Sequence, residues 1–189
     1  MRSVHSISIL GCGWLGFPLA EQLAKKGFTI KGSVTTAEKL TLLKERSIIP
    51  FQLELTDEKI IGKDVSEFFQ SDLLIINIPP GRRKDVIYYH KAQIQQLINV
   101  LKNTTIQKVL FISSSAVYPD LNKVVFETET EQPIKESGKA LLEVEQLLRQ
   151  QPNFTTSIIR FGGLIGPERH PGKFLAGKQN IANGEAPVN

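Results

Sequence analysis

The sequence is poor in the residues that most often betray a metal centre, a secreted scaffold or a membrane span. It holds one cysteine, Cys12, in 189 residues, which excludes an internal disulfide and any multi-cysteine metal site. A lone thiol fits a reducing compartment, and the cytoplasm is the expected location. The three histidines, His5, His90 and His170, are isolated and show no metal-ligand spacing, so no metal is expected. The 23 basic and 19 acidic residues are scattered, leaving a net charge of +4 without a long basic run or aromatic interleaving. Nucleic acid is therefore not an expected partner. The apolar stretch near the N-terminus is interrupted by Gly11, Gly13 and Gly16 and closed by Glu21. It is too short to span a bilayer and does not read as a signal peptide, so no membrane association is expected. Internal repeats, low-complexity tracts and an obvious interdomain linker are also missing.

What is there is an ordinary soluble composition, 41% hydrophobic and 22% charged, with length enough for one well-cored domain and a small appendage. The stretch that organises the rest is Val4–Gly16, VHSISILGCGWLG. Val4, Ile7, Ile9 and Leu10 read as a buried strand. It runs into Gly11-Cys12-Gly13-Trp14-Leu15-Gly16 and then into a helix carrying Leu19, Leu23 and Ala24. A G-x-G-x-x-G spacing between strand and helix has a mechanical meaning. Gly11 permits the tight turn, Gly13 lets backbone approach a pyrophosphate, and Gly16 lets the helix lie close on the strand. The helix N-terminus then offers free N–H groups and a partial positive charge to the phosphates. A dinucleotide site built on Gly11, Gly13, Trp14, Leu15 and Gly16 is expected, with the Cys12 backbone rather than its thiol at the phosphates.

Strand and helix alternate along the remainder. Lys25-Lys26-Gly27 ends the first helix, Phe28–Val34 is a second strand, and Thr35 or Thr36 can cap a helix over Ala37–Arg46. Ile48–Leu55 and Asp72–Ile78 are the next strands; DLLIINI is almost unbroken in apolar residues, the mark of a strand covered on both faces. Pro79-Pro80-Gly81 stops it. Asp85–Lys102 is a helix, Lys108–Ser113 the fifth strand, Glu136–Gln150 a helix and Phe154–Phe161 the sixth strand. The expected fold is α/β: a Rossmann-like, doubly wound parallel sheet with helices on both faces. Tyr88 and Tyr89 are expected to pack partly buried on their helix, and Arg82-Arg83-Lys84 to form a solvated helix start, contact of one arginine with a cofactor or substrate phosphate being the alternative.

The acidic residue that would hold the ribose hydroxyls of NAD, roughly 20 positions past the glycines, is missing. Ser33, Val34, Thr35 and Thr36 stand there instead, with Lys31 and Lys39 nearby. Hydroxyls and a lysine suit a 2′-phosphate, so the expected cofactor is NADP or NAD, with NADP slightly preferred; a role for Thr35 and Thr36 in capping alone is the alternative.

Four motifs occur in order: GCGWLG at 11–16, Ile78-Pro79-Pro80, Ser113-Ser114-Ser115-Ala116-Val117-Tyr118, and Arg160-Phe161-Gly162-Gly163-Leu164-Ile165-Gly166-Pro167. Together they resemble the NAD(P)-dependent epimerase/dehydratase family, the extended short-chain dehydrogenases, in a divergent branch akin to nucleoside-diphosphate-sugar epimerases. Leu10 stands where that family has its first glycine. The resemblance implies that Ser114 orients a substrate carbonyl, that Pro79 lines the cofactor, and that Gly162, Gly163 and Leu164 run past the nicotinamide. It also implies a Tyr-x-x-x-Lys pair on the next helix, where tyrosine moves the proton and lysine lowers its pKa.

The sequence reads as lacking that pair. Alignment on Gly138 and Glu145 puts Ser137 at the tyrosine and Leu141 at the lysine, while Lys135 and Lys139 share a helix face. Tyr118, close to Ser114 in sequence, is the remaining candidate for the proton; in the family it usually packs a loop. The expected catalytic residues are Ser114 and Tyr118. The expected function is NAD(P)-dependent oxidoreductase or epimerase chemistry on a carbonyl or nucleotide-sugar substrate, or else cofactor binding without turnover, as a redox sensor. A small-molecule substrate is the expected partner, and a homodimer is left open. The domain plan is a cofactor domain over 1–170 and the start of a truncated C-terminal substrate region over 171–189.

Overall fold

In a computed structural model of the chain, residues 3–119, 123–129 and 131–180 are described. Seven strands run along the described residues: β1 (Ser6–Leu10), β2 (Thr29–Val34), β3 (Ile49–Leu55), β4 (Ile60–Gly62), β5 (Leu73–Ile76), β6 (Lys108–Ser114) and β7 (Thr155–Phe161). The helices between and after them are α1 (Gly16–Lys25), α2 (Glu38–Glu45), α3 (Val65–Phe68), α4 (Val86–Leu101), α5 (Glu136–Arg149) and α6 (Pro171–Leu175). A short 3-10 turn covers Ser115–Val117.

The strands make one sheet in the order β4-β3-β2-β1-β5-β6-β7. Every pairing is parallel except that of β3 with β4. The order reverses between β1 and β5, which is where an open parallel sheet leaves a crevice at its carboxyl ends.

Strand alternation explains the layers. Ile7 and Ile9 of β1 join Ile30, Val34 and Ile75 on one face, where Ala20 of α1 and Leu43 of α2 cover them. Leu10, Leu74, Ile76, Val109 and Phe111 point the other way, beneath Ile94, Leu97 and Ile98 of α4 and Leu141, Val144 and Leu148 of α5. β5 shows why its sequence lacks alternation: Leu74 and Ile76 serve one core and Ile75 the other, so both faces are covered. The doubly wound sheet expected from the sequence is present, one cysteine included, with Cys12 buried in the α1 face.

Some expectations need correction. β4 is an unforeseen antiparallel edge strand of three residues, too short for a period to register. It is set by a turn in which the Thr56 hydroxyl receives the N–H groups of Glu58 and Lys59 and donates to the Lys59 carbonyl. Neither Thr35 nor Thr36 caps α2, whose N-cap position is Ala37. The Glu38 carboxylate bonds its own backbone N–H and the Thr36 hydroxyl, which holds its pKa below the usual range and does the work assigned to the threonine. Tyr88 is not partly buried but 72% exposed, because its position on α4 faces solvent. Tyr89 is half-buried, with the Arg83 guanidinium 3.6 Å from its ring centre.

Of the expected C-terminal region, 181–189 lies outside the described residues; α6 was not foreseen. Among the described residues no helix is long and apolar enough to cross a membrane.

Candidate functional site

The loop after β1 is fixed from both neighbouring strands. From β2, the Ser33 hydroxyl oxygen accepts the Gly11 N–H at 3.0 Å, and the Ser33 carbonyl accepts the Cys12 N–H at 2.7 Å. From the end of β5, the Asn77 side-chain amide donates to the Gly11 carbonyl at 2.8 Å, while the Asn77 N–H donates to Leu10. Gly11 has φ +102°, and a Cβ there would stand 2.5 Å from the Asn77 carbonyl oxygen. Gly16 lies so close that a Cβ would collide with the Gly11 carbonyl. These two glycines are required by backbone shape and by helix-on-strand contact.

Gly13 differs: a Cβ there would meet nothing within 4 Å. It is exposed, and the loop turns it towards open space. Phe17 N–H already bonds the Gly13 carbonyl, so the helical turn begins at the glycine itself. Among the described residues, the N–H groups of Gly13, Trp14 and Leu15 have no protein acceptor. Leu15, the N-cap position of α1, offers no side-chain cap. Unsatisfied donors at a helix start that faces open space at Gly13 suit a pyrophosphate, and these residues fit one. The Cys12 thiol is turned inward, against Gly32, and burial pushes its pKa up to about 12. As expected, only its backbone lies in the loop.

At the end of β2 the hydroxyls divide. Thr35 and Thr36 are exposed, whereas Ser33 is buried, its oxygen turned to the Gly11 N–H. Lys31 is also withdrawn: its ammonium donates to the carbonyls of Glu67 and Gln70, under α3. Burial lowers its pKa. The expected lysine for a 2′-phosphate is thus reduced to Lys39, which is exposed.

Ser114 ends β6 beside the crevice. Its hydroxyl oxygen accepts the Ala116 N–H at 3.1 Å, as a turn cap. The O–H hydrogen is not consumed by that bond and remains able to donate. Pro79 and the run Gly162–Leu164 are exposed at the ends of β5 and β7.

α5 lies hard against this segment, since a Cβ on Gly138 would collide with the Ala116 carbonyl. Ser137 is half-buried there, Leu141 is core, and Lys139 pairs with Glu136 at 2.8 Å on the helix surface.

Tyr118 packs on the core with the Arg160 guanidinium 4.9 Å from its ring centre. Arg160 in turn binds the buried Glu145, which accepts the Ser113 hydroxyl at 2.7 Å. This network joins β6, α5 and β7 at their site ends.

Sequence reading passed over Asn77 and the tie between Glu145 and Arg160. Asn77 follows the strand next to the reversal of strand order, so topology is the signal that finds it; the ion pair has no spacing signature. Among the described residues no group of His, Cys, Asp and Glu could hold a metal ion.

Fold and loop together define a dinucleotide-binding Rossmann domain. Residues 11–188 match the family model described as NAD(P)H-binding, and the chain belongs to that family. It is 34% identical over 187 residues to Protein YeeZ of Escherichia coli K12, covering 98% of this chain and 68% of that protein. Solved structures share the fold. A UDP-glucuronic acid 4-epimerase from Bacillus cereus, in complex with UDP-glucuronic acid and NAD, superposes with a TM-score of 0.71 at 20% identity. The match covers 88% of this chain and 59% of the epimerase. A putative NAD-dependent epimerase/dehydratase from Methylobacillus flagellatus gives a TM-score of 0.67 at 23% identity, covering 88% and 57%. The chain thus spans somewhat over half the length of these structures.

Proposed function

We propose that this chain is the cofactor-holding part of an NAD(P)-dependent oxidoreductase or epimerase acting on a carbonyl or nucleotide-sugar type substrate. The observation that carries the reading is the loop Gly11–Gly16 at the reversal of strand order, with Gly13 open and the N–H groups of Gly13, Trp14 and Leu15 free of protein acceptors. The cofactor, when bound, supplies or accepts a hydride. Ser114, with its O–H free to donate, is the residue that would hold a substrate carbonyl oxygen beside it. Tyr118 is the candidate for the proton, and the Arg160 guanidinium lies 4.9 Å from its ring centre.

NADP is the proposed preference, on the exposed Thr35, Thr36 and Lys39 and the lack of a carboxylate at positions 33–36. A second reading, cofactor binding without turnover, is favoured by one observation. The helix face opposite Ser115–Val117 carries Ser137 and a core Leu141, while Lys139 is turned to Glu136.

The experiment is a titration with NADPH and NADH, followed by turnover assays on carbonyl and nucleotide-sugar substrates. Turnover abolished in Ser114→Ala, with cofactor affinity retained, supports the enzyme. Cofactor binding with no turnover of any substrate by the full-length protein would sink that reading in favour of the sensor.

A further inference from the structure

β7 ends at Phe161 on the outer edge of the sheet, yet the chain that follows reaches back to the loop after β1. The Trp14 indole N–H donates to the Pro167 carbonyl at 2.8 Å, across 153 positions of sequence. In the strand order, β5 and β6 lie between β1 and β7, so this segment crosses above the carboxyl ends of both. Its tip is a tight turn: the Arg169 N–H bonds the Gly166 carbonyl at 2.9 Å, with Glu168 at φ +65°. Gly166 is small of necessity, since a Cβ would stand 2.9 Å from Trp14 Cζ2. The turn sets the Arg169 guanidinium over the indole, 4.4 Å from its ring centre.

The charge ledger at this end of the sheet singles out that arginine. Arg83 is paired with Asp85, Arg160 with Glu145 and Lys139 with Glu136, and Lys31 is bound to backbone carbonyls. Arg169 has no acidic partner among the described residues. Lys39 and Arg82 share that property, but among the described contacts Arg169 is the cation that touches the phosphate loop. The ring attracts the guanidinium without taking its hydrogen bonds, so the fork of N–H donors is positioned and still available. The loop itself, Gly11–Gly16, contains no cation. A pyrophosphate carries two negative charges, more than the partial charge of a helix N-terminus balances.

We infer that Arg169, held on the face of Trp14 by the turn Gly166–Arg169, is a cofactor-binding residue that pairs with the pyrophosphate. This rests on the cofactor reading above and adds to it a charged contact from the far edge of the sheet. The crossing segment also walls the crevice over β5 and β6, so the cofactor is gripped from two sides.

The test is calorimetric titration of the purified protein and of Arg169→Gln and Arg169→Lys with NADPH, NADH, ADP-ribose and adenosine. Arg169→Gln is expected to bind the three pyrophosphate compounds roughly tenfold more weakly, with adenosine unchanged. Arg169→Lys should recover part of the loss, and added salt should weaken the parent more than Arg169→Gln. Affinities of Arg169→Gln within about twofold of the parent overturn the inference. So does an equal loss for adenosine, which marks a structural role for the turn. A parent protein that binds none of the four compounds overturns the cofactor reading itself, and the inference with it.

Discussion

Arg160 grips the Glu145 carboxylate from two points, its Nε at 3.0 Å from Oε1 and its Nη2 at 2.6 Å from Oε2, with Glu145 only 1% exposed. The Ser113 hydroxyl completes the coordination, and Tyr118 lies beneath the same guanidinium. One buried pair therefore holds the last two parallel strands and α5 in register at the site end. Removing one partner strands the other charge. Glu145→Ala is expected to lower unfolding free energy by about 3–5 kcal/mol in a denaturant titration. An effect under about 1 kcal/mol would mean that water replaces the carboxylate.

The glycines of the loop separate stability from binding. Gly16→Ala drives a methyl into the Gly11 carbonyl and should cost about 1–3 kcal/mol, read as a drop in Tm. Gly13→Ala meets no atom of the protein, so its Tm should match the parent. Its cofactor affinity should fall, because the methyl enters the space left for the phosphates. Equal affinity in Gly13→Ala would place the phosphates elsewhere.

Stability should depend on pH through two groups whose folded pKa values both lie below their ordinary ones. His90 on α4 is fully buried, its Nδ1 shared with Gln93 and its Nε2 without a partner among the described residues. Burial holds its pKa below the ordinary 6.5. The unfolded chain then takes up a proton that the folded chain refuses, so stability is full above pH 6.5 and declines as pH falls below it. His90→Leu should flatten that decline. Asp72 accepts the N–H groups of His5 and Ser6 and the Ser6 hydroxyl, which together bring its pKa down to about 2. Its contribution is present above the ordinary 3.8 and is lost as pH falls towards 2. Denaturation midpoints of Asp72→Asn should lack this acid limb.

Much of the fold was legible because its signals are local. The glycine spacing and the doubly apolar DLLIINI each report a turn or strand through near neighbours. Part of what was misread involves distant partners. Lys31 and Ser33 looked like surface groups for a phosphate; α3 and Gly11, far off in sequence, had already taken them. The caps of α2 were misjudged because Glu38 outcompetes the threonines for the free N–H.

The sequence by itself determined that a strand, a glycine turn and a helix begin the chain, since only glycine tolerates the turn of Gly11 and the closeness of Gly16. It also determined the alternation that winds a parallel sheet. The tertiary structure decided which groups face the crevice. Strand order brings Asn77 beside Gly11 and carries Pro167 and Arg169 from the sheet edge back to Trp14. Such meetings depend on where whole elements are laid down, and spacing along the chain carries no record of that.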